Sequence, residues 1–241
     1  MAAVVEAKGV VKAYGGVRAL DGLNLSLGGG PIDAIIGPNG AGKTTLFNVL
    51  TGFAQADEGQ IAFNGRRIGR VTAHRRVQMG LVRSFQILEL FPALTVGELL
   101  TTASLLREPF GQAKRQARQL CTDLELPWGL TSADLTPGEV RRLELGRCIA
   151  TRPRMLLLDE IMAGLTVPEA EFMMKRISAL HDAGVAIVVV EHVMDVIRRL
   201  CENVHVLAAG KIIASGPFDV VASDPVVIEA YLGTRSTRGV A

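Results

Sequence analysis

The sequence predicts an α/β domain built on parallel strands, and three stretches carry that prediction. Ile32-Asp33-Ala34-Ile35-Ile36 is a short, mostly apolar run that leads straight into a glycine-rich turn and a helix. Met155-Leu156-Leu157-Leu158 and Val185 to Val190 are continuous apolar runs, each closing on carboxylates. Unbroken runs of this kind suit strands buried on both faces of a parallel sheet. In such sheets ligands gather at the carboxyl ends of the strands.

The turn after the first run is Gly37-Pro38-Asn39-Gly40-Ala41-Gly42-Lys43-Thr44-Thr45. It fills every fixed position of the phosphate-loop pattern G-x-x-x-x-G-K-[ST], in the required place between a strand and a helix. Glycines at 37, 40 and 42 let backbone N–H groups turn inward around an anion. The following helix, Leu46 to Leu50, adds its own unpaired N–H groups and the positive end of its dipole. Lys43 is placed to reach the β- and γ-phosphates, and the Thr44 hydroxyl to ligate Mg²⁺. These residues predict binding of a nucleoside triphosphate.

Taken in order, Val4 to Val11 reads as a first strand leading to Tyr14. Leu20 to Leu27 has a strand-like period broken by Gly22, and Gly28 to Pro31 turns into the loop strand. Ile61 to Gly65 is strand and turn. Arg66 to Arg76 is basic and reads as a solvated face, since no aromatics interleave as a nucleic-acid surface requires. Val82-Arg83-Ser84-Phe85-Gln86 is a short strand ending on a polar residue. Thr95 to Leu126 reads as helix, closed by a Pro-Trp-Gly turn, and has the texture of a helical insertion. Leu135 to Thr151 is a helix whose start is spelled out: Thr136 at the cap, Pro137 at the first helical position, Glu139 three residues after the cap. Pro168 to Leu180 is helix, Val204 to Leu207 and Lys211 to Ala214 form a hairpin-like pair, and Asp219 to Leu232 is helical with a break at Pro225. Residues 234–241 read as a loose tail.

Bulk properties narrow the class. The 241 residues suit one domain or one with a small subdomain, and 49% hydrophobic content is ample for a core. A formal charge of +2 gives no argument for nucleic acid. Cys121, Cys148 and Cys201 are scattered, without a C-x-x-C pair, and read as buried or incidental thiols of a reducing compartment. No apolar run approaches the roughly 20 residues of a spanning helix, and no signal peptide is evident. A cytoplasmic protein that meets a membrane only through a partner is the expectation.

Asp159 at the end of its strand supplies the Mg²⁺ partner that phosphate-loop enzymes need. Glu160 directly after it is placed to orient and deprotonate a water attacking the γ-phosphate. With both motifs in place, the sequence resembles the ATP-binding subunits of ABC transporters from about Val4 to Gly233. That resemblance implies a RecA-like core with an antiparallel β subdomain and a helical subdomain at about 90–152, in one ATP-binding domain spanning 1–233. It implies that Tyr14 stacks on adenine and that Gln86 senses Mg²⁺ and the attacking water while facing the membrane partner. It further implies that His192 contacts the γ-phosphate. It places Thr136 and Gly138, in Leu135-Thr136-Pro137-Gly138-Glu139, at the γ-phosphate held by the other subunit of a head-to-tail dimer. Pro137 and Glu139 depart from the family's L-S-G-G-Q, and Thr166 lacks the carboxylate usual in the crossing loop.

Within the family the chain is most similar to branched-chain amino-acid (LivG-type) subunits, on Gly37 to Phe53, Val82 to Phe91 and Asp224 to Gly233. The implied setting is an importer driven by ATP with Mg²⁺ on the inner face of the cell membrane. Its implied partners are a second ATPase subunit, identical or different, two permease subunits and, indirectly, a solute-binding protein, with no nucleic acid. Two alternatives stand beside it: a soluble ABC-type ATPase without a permease, and a weakly hydrolysing member of a heterodimer.

Overall fold

A computed structural model describes residues 4–85 and 91–232. The chain opens with strands β1 (Val5–Tyr14), β2 (Val17–Leu27) and β3 (Asp33–Ile36), then helix α1 (Lys43–Thr51). Strands β4 (Glu58–Phe63) and β5 (Arg66–Arg67), helix α2 (Ala73–Met79) and strand β6 (Leu81–Arg83) follow. A helical stretch comprises α3 (Val96–Ser104), α4 (Phe110–Asp123) and α5 (Pro137–Ala150). The chain then returns to β7 (Met155–Asp159), α6 (Val167–Asp182), β8 (Ala186–Val190) and α7 (Met194–Leu200). It closes on β9 (Asn203–Ala208), β10 (Lys211–Gly216), α8 (Phe218–Ala222) and α9 (Pro225–Leu232).

The strands form two sheets. One is antiparallel, in the order β2-β1-β4-β5, and the other runs β10-β9-β3-β8-β7-β6. In the second sheet β9, β3, β8, β7 and β6 are mutually parallel, and β10 is an antiparallel edge. Alternation explains the apolar runs: Ala34, Ile36, Leu156, Leu158, Ile187 and Val189 face one core cluster with the helical stretch. Ile35, Met155, Leu157, Val188 and Val190 face the other, together with Leu46, Phe47, Val49 and Leu50 of α1. Helix α1 therefore lies in the core that the two sheets share, with its start at the carboxyl edge of β3. The ends of β6, β7 and β8 share that edge.

Three local readings are corrected by the fold. Strand β2 continues through Gly22, because Gly9 and Gly22 take left-handed backbone (φ 60° and 67°) at two successive shifts of the β1–β2 register, between Ala7 and Val10 and between Val10 and Lys12. The helical run from Thr95 is two helices parted at Pro109, which sits at the cap of α4. Arg76 is not part of a solvated face. It is 1% exposed, and it donates to the carbonyls of Val49 (2.7 Å) and Leu50 (2.6 Å) at the end of α1, and of Ile68 (2.8 Å) and Val71 (2.9 Å). Burial lowers its pKa to about 10.

Candidate functional site

The phosphate loop takes its shape from two glycines. Gly42 caps α1 in left-handed backbone (φ 108°), where a Cβ would fall 2.3 Å from the Ala19 carbonyl oxygen. A Cβ on Gly37 would lie 2.0 Å from the Leu207 carbonyl oxygen. Helix α1 has no side-chain cap and no acid in its first turn, so its leading N–H groups point into the loop without a competing carboxylate. Lys43 folds back beneath: its Nζ donates to the carbonyls of Gly37 (2.6 Å) and Pro38 (3.1 Å). Burial pulls the Lys43 pKa down, and the charges of Glu160 and Asp159 partly restore it. Around the loop is a cavity of about 240 Å³, lined by Ala19, residues 39–45, Glu160 and His192. A larger cleft of about 500 Å³ with four arginines on its walls lies at Gly80 and Arg154, at the opposite ends of β6 and β7. Size does not decide between them; the arrangement of donors does.

Strands β7 and β8 deliver the acids and the histidine. Glu160 leaves β7 in left-handed backbone (φ 49°), held by its N–H to the Val190 carbonyl at 2.8 Å. Its Oε1 lies 2.8 Å from His192 Nε2, so the turns after the two strands meet at one hydrogen-bonded pair. Asp159 is buried; its N–H donates to Ser84 Oγ (2.9 Å) and its Oδ2 pairs with Arg83 Nη2 (2.6 Å). Glu191, also buried, accepts from the Met162 N–H at 2.8 Å and so braces the segment after Glu160. Burial pushes the Glu191 carboxyl above the usual range.

Arg83 and Glu191 escaped the reading of residue types. The available signal was an arginine inside the apolar Leu81-Val82-Arg83, because a charge on a buried strand must find a partner.

The other candidate residues lie apart from this cavity. Tyr14 ends β1 half-exposed, with the Lys12 ammonium 5.2 Å from its ring centre, and it does not line the cavity. Thr136 caps α5 as the sequence reads: its N–H and hydroxyl donate to Glu139 Oε2, both at 2.8 Å, and its Oγ1 accepts from the Glu139 N–H at 3.3 Å. Gly138 packs against Glu169, where a Cβ would meet Oε1 at 2.1 Å. Glu169 is in turn held by Thr166, which donates through N–H (2.8 Å) and hydroxyl (2.6 Å). Thr166 thus begins α6 rather than presenting a charge. Gln86 lies outside the described residues, as do 234–241.

The donor set fits a hard cation shared with phosphate. Thr44 offers a hydroxyl and Asp159 a carboxylate oxygen, the oxygen ligands Mg²⁺ takes. Among the described residues no group of three or more His, Cys, Asp or Glu would hold an ion unaided. Also among the described residues, no helix is long and apolar enough to cross a membrane.

Comparison with known proteins points the same way. A family model described as ABC transporter matches residues 20–163, and one described as branched-chain amino acid ATP-binding cassette transporter matches 211–236. The chain is 34% identical to the high-affinity branched-chain amino acid transport ATP-binding protein BraF of Pseudomonas aeruginosa, over 95% of this chain and 98% of that one. It is 33% identical to LivG of Escherichia coli, a protein of the same description, over 95% and 98%. A probable LivG of Archaeoglobus fulgidus is 30% identical, over 98% and 97%. A nucleotide-free ATP-binding cassette from an ABC transporter superposes with a TM-score of 0.87 at 29% identity, covering 96% of this chain and 99% of that one. An ABC transporter cassette in its ADP conformation gives 0.86 at 29%, covering 97% and 100%.

Proposed function

The chain belongs to the ABC transporter family of ATP-binding cassettes, and on that premise we propose that it hydrolyses ATP to power uptake of branched-chain amino acids or related small solutes. The observation that carries this reading is one cavity walled by the phosphate loop, Glu160 and His192, with the last two 2.8 Å apart. The loop N–H groups and Lys43 hold the triphosphate. Mg²⁺, held by Thr44 and Asp159 with Gln86 as a further ligand, neutralises phosphate charge when bound. Glu160 takes the proton of the attacking water, and His192 fixes its carboxylate and faces the γ-phosphate. Tyr14 stacks on the base, and Thr136 and Gly138 serve the site of a second ATPase subunit. The relatives' names favour an importer over a soluble factor without a permease. We assign residues 1–233 to one domain whose helical part spans about 90–152. Its place is the inner face of the membrane, against permease subunits fed by a solute-binding protein.

Glu160→Gln tests the reading, since it keeps the side chain's shape and a hydrogen bond to His192 but removes the base. Steady-state ATP turnover should fall by roughly 10²-fold or more, with ATP binding, followed by a fluorescent analogue, unchanged. Turnover that survives the substitution would refute the assignment.

A further inference from the structure

Arg83 is the last residue of β6, beside Leu157 of β7, and its guanidinium extends between α1 and the carboxyl end of β7. Nη2 pairs with Asp159 Oδ2 at 2.6 Å, and Nη1 donates to Asn48 Oδ1 at 2.5 Å. Asn48 is one helical turn beyond Thr44 on α1. The rings of Phe47 and Phe85 lie 5.3 and 5.7 Å from the guanidinium carbon. Both members of the ion pair are 6% exposed at the side chain, and among the described residues Arg83 Nε has no hydrogen-bond partner. Desolvating two charges makes such a pair a poor source of stability, so its geometry asks for another role.

That geometry is a template. One planar group registers Asp159 against the helical turn that carries Thr44, and it commits one of the two Asp159 carboxylate oxygens. Oδ1 is then the oxygen better able to face a cation, since Oδ2 shares its lone pairs with the guanidinium. Mg²⁺ demands a near-octahedral shell at about 2.0–2.1 Å and keeps its waters, whereas Ca²⁺ accepts six to eight ligands and readily takes a carboxylate through both oxygens. We propose that Arg83 is a positioning residue that restricts Asp159 to a single ligating oxygen and thereby sets the preference of the nucleotide site for Mg²⁺ over Ca²⁺. The inference rests on the reading that Asp159 faces the metal.

The test is metal-dependent binding of fluorescent ADP to the full chain, titrated separately with Mg²⁺ and Ca²⁺. In Arg83→Met, the Mg²⁺ affinity should fall about tenfold or more, while Ca²⁺ affinity holds or improves. ADP affinity in EDTA should stay within about twofold. Arg83→Lys, a point charge that cannot serve Asn48 and Asp159 together, should fall between. Equal weakening of both metals, or no change in either, would overturn the proposal. If Arg83→Met fails to fold, Asn48→Ala frees the guanidinium from α1 and so loosens its hold on Asp159 Oδ2 without removing the charge. It should shift the Mg²⁺/Ca²⁺ ratio the same way by a smaller factor, and an unchanged ratio would again overturn the proposal. Failure of the underlying reading is separable: the unaltered chain would then show no metal dependence of ADP binding at all.

Discussion

At the scale of single residues, Lys43 and Glu160 have different work, and their substitutions separate it. In the proposed function Lys43 contributes charge to the bound phosphates, so Lys43→Ala should weaken ATP binding itself. A charge-assisted hydrogen bond is worth about 1.5–3 kcal/mol, which converts to roughly 10- to 10²-fold in affinity. Equilibrium titration with a fluorescent ATP analogue would show this, and unaltered binding would remove Lys43 from the site. Residues of this kind could be named from the sequence because the roles proposed for them depend on neighbours in sequence. Gly37, Gly42, Lys43 and Thr44 form one motif, and Asp159 and Glu160 adjoin at the end of one apolar run. Arg83 was not legible, because its partners Asn48 and Asp159 are 35 and 76 residues away. The one local hint, a charge closing the apolar run Leu81-Val82-Arg83, says that a partner is needed but not which one.

At the scale of elements, Arg76 shows how one side chain joins two helices. It comes from α2, is 1% exposed, and donates to carbonyls in the last turn of α1 that have no partner within the helix. Arg76→Met would leave several buried carbonyls unpaired and should cost about 3 kcal/mol or more, since each buried orphan costs roughly 1–3 kcal/mol. Urea denaturation measures it; a loss under about 1 kcal/mol would show that water takes over those carbonyls. Because α1 carries the phosphate loop at its other end, the same variant should also loosen nucleotide binding. Composition misled here: Arg66 to Arg76 holds five arginines and no acid, yet the period of α2 turns Arg76 inward against Gly52, whose Cβ would sit 2.9 Å from Arg76 Nε. By contrast, the cap of α5 was written in local spacing, and Thr136–Glu139 pairs as that spacing reads.

At the scale of the whole molecule, burial of carboxyls sets a dependence on pH. Glu144, on α5, accepts from the Phe85 N–H at 3.1 Å, and burial raises its pKa, an effect that Arg147 only partly offsets. Glu191 is raised in the same way. The folded chain therefore keeps protons that the unfolded chain releases from an ordinary glutamate pKa of about 4.3 upward. The cost to stability is absent below that value, grows as pH rises, and is complete above the raised folded pKa. Glu144→Gln should thus gain stability relative to the unaltered chain as pH rises from 4 to 8. Denaturation midpoints across that range test it, and a difference that stays flat would contradict it. The sheet order was the least legible feature at this scale. Apolar runs identify β3, β7 and β8 as buried, but the placement of β3 between β8 and β9 joins segments some 150 residues apart. No local pattern encodes such a pairing.

The ammonium of Lys43 resting on the carbonyls of Gly37 and Pro38 has one more consequence. It works as an internal strut: the cation that the proposed function sets against the phosphates also ties the curve of the loop to the head of α1 through the protein's own dipoles. A shorter side chain at position 43 should therefore slacken the turn as well as remove a charge, so part of the affinity lost in Lys43→Ala would be the cost of ordering backbone on each encounter.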